Sequence, residues 1–459
     1  MTETPDGRDV ADPLPALERG RPWRRRDNDG VTLLTVYLVL LFAIPSNLTV
    51  TALGSLGRPS LIWGLILFAF WSVSRLQRRT LDARPMRQHV TFSFACLFTL
   101  ALISFAAALL RGQPADQVSP AFTAIVRLLS WGGVVLVSID GIRTMDEVGR
   151  MMRRLVIATG LLTALGIAQF VTGQTLLDFY NVIPGVSNSG GGVLERGGVT
   201  RSSGTAIHPL EYATTLIGVF PLAIAAAMSR GFRWRTATSS LRWGIPVVLI
   251  AISALVGVSR SAIVGFLIAA IAMIPAIPKR FRAAVIAGGL VLGAIVVVSL
   301  PGLLGTTLGL FSGAATDPSA LSRVGGLDKA PGFIASSPFI GVGWGTFLPR
   351  YYIFDNEWVL ITVELGVLGV AAFAALLISG AWSAFMAGRH SPQKELRLVG
   401  YSLAVSVVVV AVMFAFFDGL SFPISSGTLF LLLGLCGGAR NIAAADSPPE
   451  ARPMRRLTK

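Results

Sequence analysis

Charged residues are scarce in this chain. Of its 459 residues, 14% are charged and 53% are hydrophobic, whereas a soluble domain carries about 25% charged residues. Apolar runs such as 31–48 and 284–300 are long enough to cross a hydrocarbon core of roughly 30 Å. A backbone in lipid must satisfy its own polar groups, so these runs should be helices. Their polarity does not alternate along the chain, which argues against a barrel. The sequence therefore predicts an all-α, polytopic integral membrane protein.

Cysteine and histidine are rarer still. The chain has 2 cysteines, Cys96 and Cys436, both in apolar runs, and 3 histidines. This composition offers neither a disulfide framework nor the clustered ligands of a metal site. The one D-x-D pattern, Asp27-Asn28-Asp29, lies in the N-terminal tail. We therefore expect no metal and no cofactor, which argues against a metal-dependent transferase that uses nucleotide sugars.

Basic residues, by contrast, are plentiful and unevenly placed. The formal net charge is +15, and basic clusters lie at 24–26, 75–87, 143–154, 230–242, 279–282, 389–397 and 440–459. The alternate connections between apolar runs are poor in Lys and Arg, which is the pattern of cytoplasmic loops in membrane proteins. The charge thus indicates a topology with both termini cytoplasmic. It does not indicate a nucleic-acid partner.

About 12 transmembrane helices fit both hydropathy and charge. They are predicted at 31–49, 59–74, 90–110, 120–139, 155–172, 206–228, 243–259, 261–278, 283–300, 358–380, 399–417 and 422–439. We expect one membrane domain at 31–439 between disordered cytoplasmic tails at 1–30 and 440–459. Two external loops, 173–205 and 301–357, are longer than simple connectors need to be, and long ordered loops are usually functional. Basic residues in and near these loops predict a site for an anionic ligand.

Arg260 lies at the tip of a short predicted hairpin. Only 36 residues separate Arg242 from Lys279, and they must cross the membrane twice, at about 27 Å for each leg. An arginine at that depth costs at least about 2.5 kcal/mol unless it faces a partner or a wet cavity. Arg260 therefore either belongs to a site or extends its side chain to the lipid headgroups.

Three stretches of sequence stand out among the loops and the spans that follow them. The first is RSSGTAIHP at 201–209, which enters a span. The second is VSRSA at 258–262. The third extends from Ser322-Arg323 through PFIGVGWGTF at 338–347 and DNEW at 355–358 to ELGVLG at 364–369. In their order and spacing they resemble the motifs of the O-antigen ligase and O-antigen polymerase superfamily.

The resemblance implies a reaction and its partners. Members of that superfamily take a glycan from undecaprenyl diphosphate outside the bacterial cytoplasmic membrane and attach it to lipid A core, to another glycan or to protein. We therefore expect a metal-independent glycosyltransferase with a polyprenyl-diphosphate-linked glycan donor, a glycan or lipid acceptor and membrane lipids around it. The choice between ligase and polymerase stays open. The alternative is a polytopic transporter or flippase, although the chain lacks the two similar halves of many transporters.

Arginines are the expected ligands of the donor diphosphate. A guanidinium stays charged and offers paired donors to phosphate oxygens, so it can neutralise the charge that develops as the anomeric bond breaks. We assign this role to Arg201 and Arg260, with Arg323 as a further substrate-binding residue. Each could instead form a surface salt bridge or a headgroup contact. Arg127, about two turns inside the fourth span, could extend toward the interface or contact a lipid phosphate.

Asp355 and Glu357 are the candidate catalytic carboxylates, because the acceptor hydroxyl needs a base or an oriented acceptor. Where many relatives have His before Asn, this chain has Asp355 before Asn356. We place Asn356 among the substrate-binding residues, although Asp355-Asn356 could equally cap the following helix. Glu364 lies two turns deeper on the face of Glu357, and we expect it to pair with an arginine or a hydroxyl.

His208 and Trp344 complete the predicted substrate-binding set. His208 precedes Pro209 at a span entrance, where it could contact substrate, act as a base or bond the helix start. The glycines of 341–345 allow tight turns, and Trp344 among them could stack on a sugar.

Overall fold

A computed structural model describes residues 29–77, 88–188, 194–196, 199–233, 241–257, 259–299 and 318–445. Within these ranges the chain forms thirteen α-helices, which are α1 (Asp29–Phe42), α2 (Pro59–Gln77), α3 (His89–Leu110), α4 (Ala115–Gly141), α5 (Met145–Thr172), α6 (Pro209–Met228), α7 (Leu241–Val256), α8 (Arg260–Met273), α9 (Lys279–Ser299), α10 (Pro318–Ile334), α11 (Glu357–Arg389), α12 (Lys394–Met413) and α13 (Pro423–Ala445).

Eight of the described helices are long and apolar enough to cross a membrane, namely α2, α3, α4, α5, α6, α11, α12 and α13. Helices α1, α7 and α8 are apolar but shorter. The predicted class, an all-α integral membrane protein, is therefore confirmed. Each predicted span overlaps a helix, but the number twelve stays a prediction, as does the division into one membrane domain and two tails.

Helices α6 and α13 form the centre of the bundle. Nearly every side chain of α6 from Pro209 to Ala226 is buried, as is most of α13. Helix α13 packs against α4, α11 and α12, and α6 packs against α7, α8 and α12. Glycines allow close contact elsewhere: a Cβ on Gly133 would lie 2.2 Å from the carbonyl oxygen of Gly64, so α2 and α4 touch along their backbones.

Four short strands lie in the connections. Strand β1 (Leu48–Val50) pairs antiparallel with β2 (Val186–Asn188), and β3 (Leu194–Arg196) pairs antiparallel with β4 (Val199–Arg201). The first pair joins the α1–α2 connection to the α5–α6 connection, and the amide of Ser46 donates to the carbonyl of Thr205 over 2.8 Å. Two loops that are far apart in sequence are thus fixed to each other.

Several predicted boundaries differ from those observed. Helix α1 begins at Asp29, inside the predicted N-terminal tail, and α13 extends to Ala445, six residues into the predicted C-terminal tail. The predicted external loop 301–357 contains a full helix, α10, whose composition of Gly, Ser and Pro concealed it. The rest of both tails, Ser189–Gly192 and residues 301–317 lie outside the described residues.

Helix α11 is interrupted near its start. Gly366 has φ 67°, a left-handed conformation that glycine adopts without a Cβ penalty. The carbonyls released by this break bond the preceding loop, because the amides of Val342 and Gly343 donate to the carbonyls of Val363 and Glu364 over 3.0 Å each. The amide of Val367 donates in turn to the carbonyl of Pro338 over 2.9 Å. The motif at 338–347 is therefore attached directly to a membrane helix.

Candidate active site

Six connections between helices meet on one side of the bundle, which we call the loop face. Contacts across it join distant segments: the Arg111 guanidinium donates to the carbonyl of Gly341 over 2.9 Å, and the amide of Glu357 donates to the carbonyl of Phe414 over 2.8 Å. The amide of Ile424 donates to the Glu211 carboxylate over 2.6 Å. The ends of α1, α3, α5 and α12 and the starts of α6, α11 and α13 therefore surround one region.

Arg201 and His208 flank the entrance to α6. The segment between them is fixed by Gln169, which accepts from the amide of Gly204 over 2.7 Å and donates to its carbonyl over 3.0 Å. His208 is the N-cap residue of α6, and its Nδ1 accepts from the amide of Leu210 over 3.1 Å. Since Pro209 lacks an amide hydrogen, this bond satisfies the first available donor of the helix.

The pKa of His208 reports on the charges near its ring. Burial and, to a smaller extent, the charge of Arg201 lower its pKa to about 4, against the opposing charge of Asp355. The structure thus brings Arg201, His208 and Asp355 together from two distant motifs. His208 is neutral above about pH 5, and its Nδ1 already serves the helix start. The observed contacts give it a capping function, and its contact with substrate stays a prediction.

Asp355 and Asn356 have separate functions in the structure. The N-cap residue of α11 is Asn356, whose Oδ1 accepts from the amides of Trp358 and Val359 over 3.0 and 3.3 Å. Asp355 is half-buried and accepts from the hydroxyl of Ser322 over 3.1 Å. The capping expected of the pair Asp355-Asn356 is therefore provided by Asn356, and not by Asp355. Its carboxylate lies outside the helix and is held by a single side chain of α10.

Glu357 is more deeply buried than Asp355. It is 2% exposed, and its Oε2 accepts from the amide of Leu420 over 2.9 Å. Its own amide bonds the carbonyls of Phe414 and Phe417. The side chain thus holds the turn between α12 and α13, and the predicted catalytic function would require it to leave these partners.

Arg323 extends from α10 to the same turn. Its Nη2 donates to the carbonyl of Phe416 over 3.1 Å, and the guanidinium lies 5.8 Å from the centre of the Phe416 ring. Neighbouring residues of one helix therefore reach both walls of the region, because Ser322 holds Asp355 and Arg323 contacts the turn at 414–422.

Arg260 begins α8, and its neighbour Ser259 lines a small cavity together with Ser202, Tyr212 and Ser253. The Tyr212 hydroxyl bonds that of Ser253 over 2.8 Å and also bonds Ser202. Because Ser202 follows Arg201 and Ser259 precedes Arg260, the segments that carry the two arginines lie close together in space. The predicted pair is thus brought to one end of α6.

Trp344 and Glu364 differ from expectation. Trp344 is 5% exposed and packs in the main hydrophobic core, so the expected exposure of its ring is not observed, and its contact with a sugar stays a prediction. Glu364 is also buried, and its Oε1 accepts from the amide of Phe347 over 3.2 Å. It bonds the backbone of the glycine loop, and not the arginine or hydroxyl that we expected.

Three charged residues near the site escaped the sequence analysis. Asp418 lies in the turn between α12 and α13, where burial and the charge of Asp355 raise its pKa to about 6. Glu211 is fully buried in α6 and accepts from the amides of Ile207 and Ile424. Arg58 precedes α2 and lies in the field of Glu211. An ionisable residue inside a span is a recognised signal of function, and it was available for Glu211.

We call Arg201, His208, Arg260, Arg323 and Asp355 the rim, and Arg58, Arg127, Glu211, Glu357 and Glu364 the buried layer. Within the part of the chain that the structure describes, no three His, Cys, Asp or Glu side chains are grouped so as to hold a metal ion.

The fold and the site define an integral membrane protein with an arginine-rich polar region among its inter-helix connections. Residues 245–374 match the family model of O-antigen ligase, Wzy_C, which supports the resemblance of the motifs to the O-antigen ligase superfamily. The matched segment includes Arg260, Arg323 and Asp355, whereas Arg201 and His208 precede it. No curated protein matches the chain significantly. The match supports a general function in glycan transfer from lipid-linked substrates.

Proposed function

We propose that this protein transfers a glycan from a polyprenyl-diphosphate carrier to an acceptor hydroxyl at the loop face, on the outer side of a bacterial cytoplasmic membrane. The observation that carries the proposal is the proximity of Arg201 and Asp355. The charges of both act on His208, and Asp355 belongs to the segment that matches the O-antigen ligase family. This proximity supports Arg201 as the cation for the leaving diphosphate and Asp355 as the carboxylate for the attacking hydroxyl.

The reaction is a displacement at the anomeric carbon of the donor. The acceptor oxygen forms the new bond, the bond from the anomeric carbon to the phosphate oxygen breaks, and polyprenyl diphosphate leaves with the electron pair. Negative charge therefore grows on the diphosphate. In this proposal Arg201, Arg260 and Arg323 are the guanidinium groups that stabilise this charge, and stabilisation of developing charge by preorganised donors is usually the largest contribution to catalysis.

The proton of the acceptor hydroxyl goes to Asp355. Its carboxylate lies outside α11 and accepts from the hydroxyl of Ser322, so it is oriented while its remaining lone pairs can face an acceptor. This arrangement gives Asp355 the function that His has in many relatives.

The orientation in the membrane is tested by labelling. In a background without Cys96 and Cys436, Ser336→Cys on the loop face should react with an impermeant thiol reagent in intact cells. His390→Cys, exposed between α11 and α12, should react only after the cells are permeabilised. The reverse pattern would place the site on the cytoplasmic side and exclude the proposed donor face.

The reaction is tested with purified protein and a synthetic polyprenyl-diphosphate glycan. Arg201→Lys and Arg260→Lys should each lose about 10- to 100-fold in turnover, because an ammonium cannot reproduce a paired guanidinium contact. Arg350→Lys is the matched control, since Arg350 forms an exposed ion pair with Asp116 on the same face. Turnover near that of the wild type in both site variants would indicate headgroup contacts and refute the assignment.

A further inference from the structure

A second cluster of positive charge lies in the buried layer. Arg58 and Arg127 line one narrow cavity with Tyr37, Ser60, Ser130 and Ser426. The cavity lies where α2 and α13 begin, since Ser60 is in the first turn of α2 and Ser426 is in the first turn of α13. Arg127 of α4 and Arg58, which directly precedes α2, therefore face the same narrow space.

Neither guanidinium has a carboxylate partner. The described residues place no Asp or Glu oxygen within 4.0 Å of Arg58 or Arg127. The Nε atoms of both are buried without a hydrogen-bond partner, and the contact of Arg127 with the carbonyl of Leu420 is long, at 3.4 Å. The charge of Arg58 also acts unfavourably on Arg127. Two half-buried cations whose Nε atoms are buried and which repel each other favour a bound anion.

The nearby carboxylates are already engaged. The Glu211 carboxylate accepts from Ser46, Ile207 and Ile424, whereas Glu357 accepts from Leu420 and Glu364 accepts from Phe347. They act on the arginines only through space. Each would have to leave a buried backbone donor unsatisfied in order to turn toward the cavity, which costs about 1–3 kcal/mol.

The remaining walls of the cavity also favour negative charge. The positive ends of the α2 and α13 dipoles point at it. Ser130 and Ser426 donate their hydroxyl hydrogens to backbone carbonyls, which leaves the hydroxyls of Tyr37 and Ser60 as the lining side-chain hydroxyls that can turn toward an anion. The space admits a group about the size of a water molecule, which excludes a sugar or a diphosphate.

We propose that this cavity binds one small inorganic anion of chloride size between the guanidinium groups of Arg58 and Arg127. The anion neutralises the positive charge of Arg58 and Arg127 in the buried layer. Its site is separate from the diphosphate ligands of the rim. Because Arg127 and Leu420 are in contact, the anion also supports the turn that holds Asp418 and the partners of Glu357.

The test measures the melting temperature of the purified full chain in detergent at constant ionic strength. Replacing sodium gluconate with sodium chloride should raise the melting temperature of the wild type by about 2–5 °C, and bromide should do the same. Arg58→Gln and Arg127→Gln should abolish this rise, and Tyr37→Phe, which removes one hydroxyl, should weaken the chloride affinity several-fold. Arg350→Gln, on the exposed Asp116 pair, should retain the full rise.

A second measurement does not depend on stable variants. Crystals of the wild type soaked in bromide should show an anomalous peak between Arg58 and Arg127. An equal effect of gluconate and chloride, a chloride effect that survives in both arginine variants, or a bromide-soaked crystal without this peak would each overturn the proposal. Stabilisation by polyprenyl diphosphate alone, without an effect of chloride, would also overturn it and assign these arginines to the donor site.

Discussion

The rim of the loop face and the buried layer beneath it contain the same residue types in different circumstances. On the rim, Asp355 is half-buried and accepts from the hydroxyl of one serine. In the buried layer, Glu211, Glu357 and Glu364 are almost fully buried and accept from backbone amides. A carboxylate bonded to buried main-chain donors cannot turn toward a substrate without a cost, whereas Asp355 can. The comparison separates a residue available for chemistry from residues that hold the chain in place.

The largest expected effect is on the rim. Asp355→Asn retains an oxygen for the hydroxyl of Ser322 but cannot take the proton of the acceptor, so transfer should fall about 10²- to 10⁴-fold with little change in melting temperature. Asp328→Asn, at an exposed acidic residue of α10, is the matched control and should leave the rate unchanged. Full activity of Asp355→Asn would remove the contrast between the two regions and turn attention to Asp418.

The next effect concerns the buried layer. Glu357→Ala leaves the amide of Leu420 without its acceptor, which should destabilise the protein by about 1–3 kcal/mol. Glu357→Gln keeps an acceptor oxygen and should melt near the wild type and transfer at a similar rate. The comparison needs both melting curves and turnover. If the Gln variant loses transfer while its melting temperature holds, Glu357 belongs with the rim.

A smaller effect is expected at the start of α11. Asn356→Ala removes the acceptor for the amides of Trp358 and Val359 and should cost about 1 kcal/mol. Asn356→Asp preserves the cap and serves as the control. Asp355→Ala should not show this loss, since Asp355 is not the cap. A similar fall in melting temperature for Asp355→Ala and Asn356→Ala would contradict the observed division between the two residues.

The smallest effect depends on pH. The pKa of Asp418 is raised to about 6, so between about pH 4 and pH 6 the unfolded chain loses this proton first and stability falls as pH rises. Asp418→Asn keeps an oxygen that can accept from Ser421 and removes the titration. Near pH 4 the variant and the wild type should have the same melting temperature. At pH 7.5 the variant should be more stable, by up to about 1 kcal/mol in the free energy of unfolding after solvent screening. Identical curves at both pH values would show that Asp418 is well solvated.

The sequence was informative about the helices and the rim, and much less so about the buried layer. Hydropathy located the eight described helices that are long and apolar enough to cross a membrane, because apolar runs of this length have few alternatives in lipid. The motifs identified Arg201 and Asp355 separately, and only the fold shows that both act on His208. Asp355 and Asn356 are both good capping residues, so their sequence could not decide which one caps α11.

The errors have a common physical origin. Trp344 lies in a glycine-rich loop, which suggested exposure, but the loop bonds α11 and carries the ring into the core. Arg58 resembles an ordinary arginine at a span end, and its burial depends on α4 and α13, which follow much later in the chain. Contacts between segments that are distant in sequence decide both cases, and local patterns do not contain them.

The break in α11 has a consequence for how the protein is made. Gly341 and Gly366 lie at a crossing so close that a Cβ on either would come within 2.4 Å of the opposite backbone. The helix cannot complete its own hydrogen bonds near Gly366, and an unsatisfied backbone group in lipid costs several kcal/mol. Residues 338–343 are synthesised before α11. The backbone amides of Val342 and Gly343, which bond the free carbonyls of α11, are therefore already present when the helix emerges. Insertion of α11 and folding of the loop are then one step of biogenesis. Substitution of either glycine by a residue with a side chain should therefore first lower the amount of protein in the membrane.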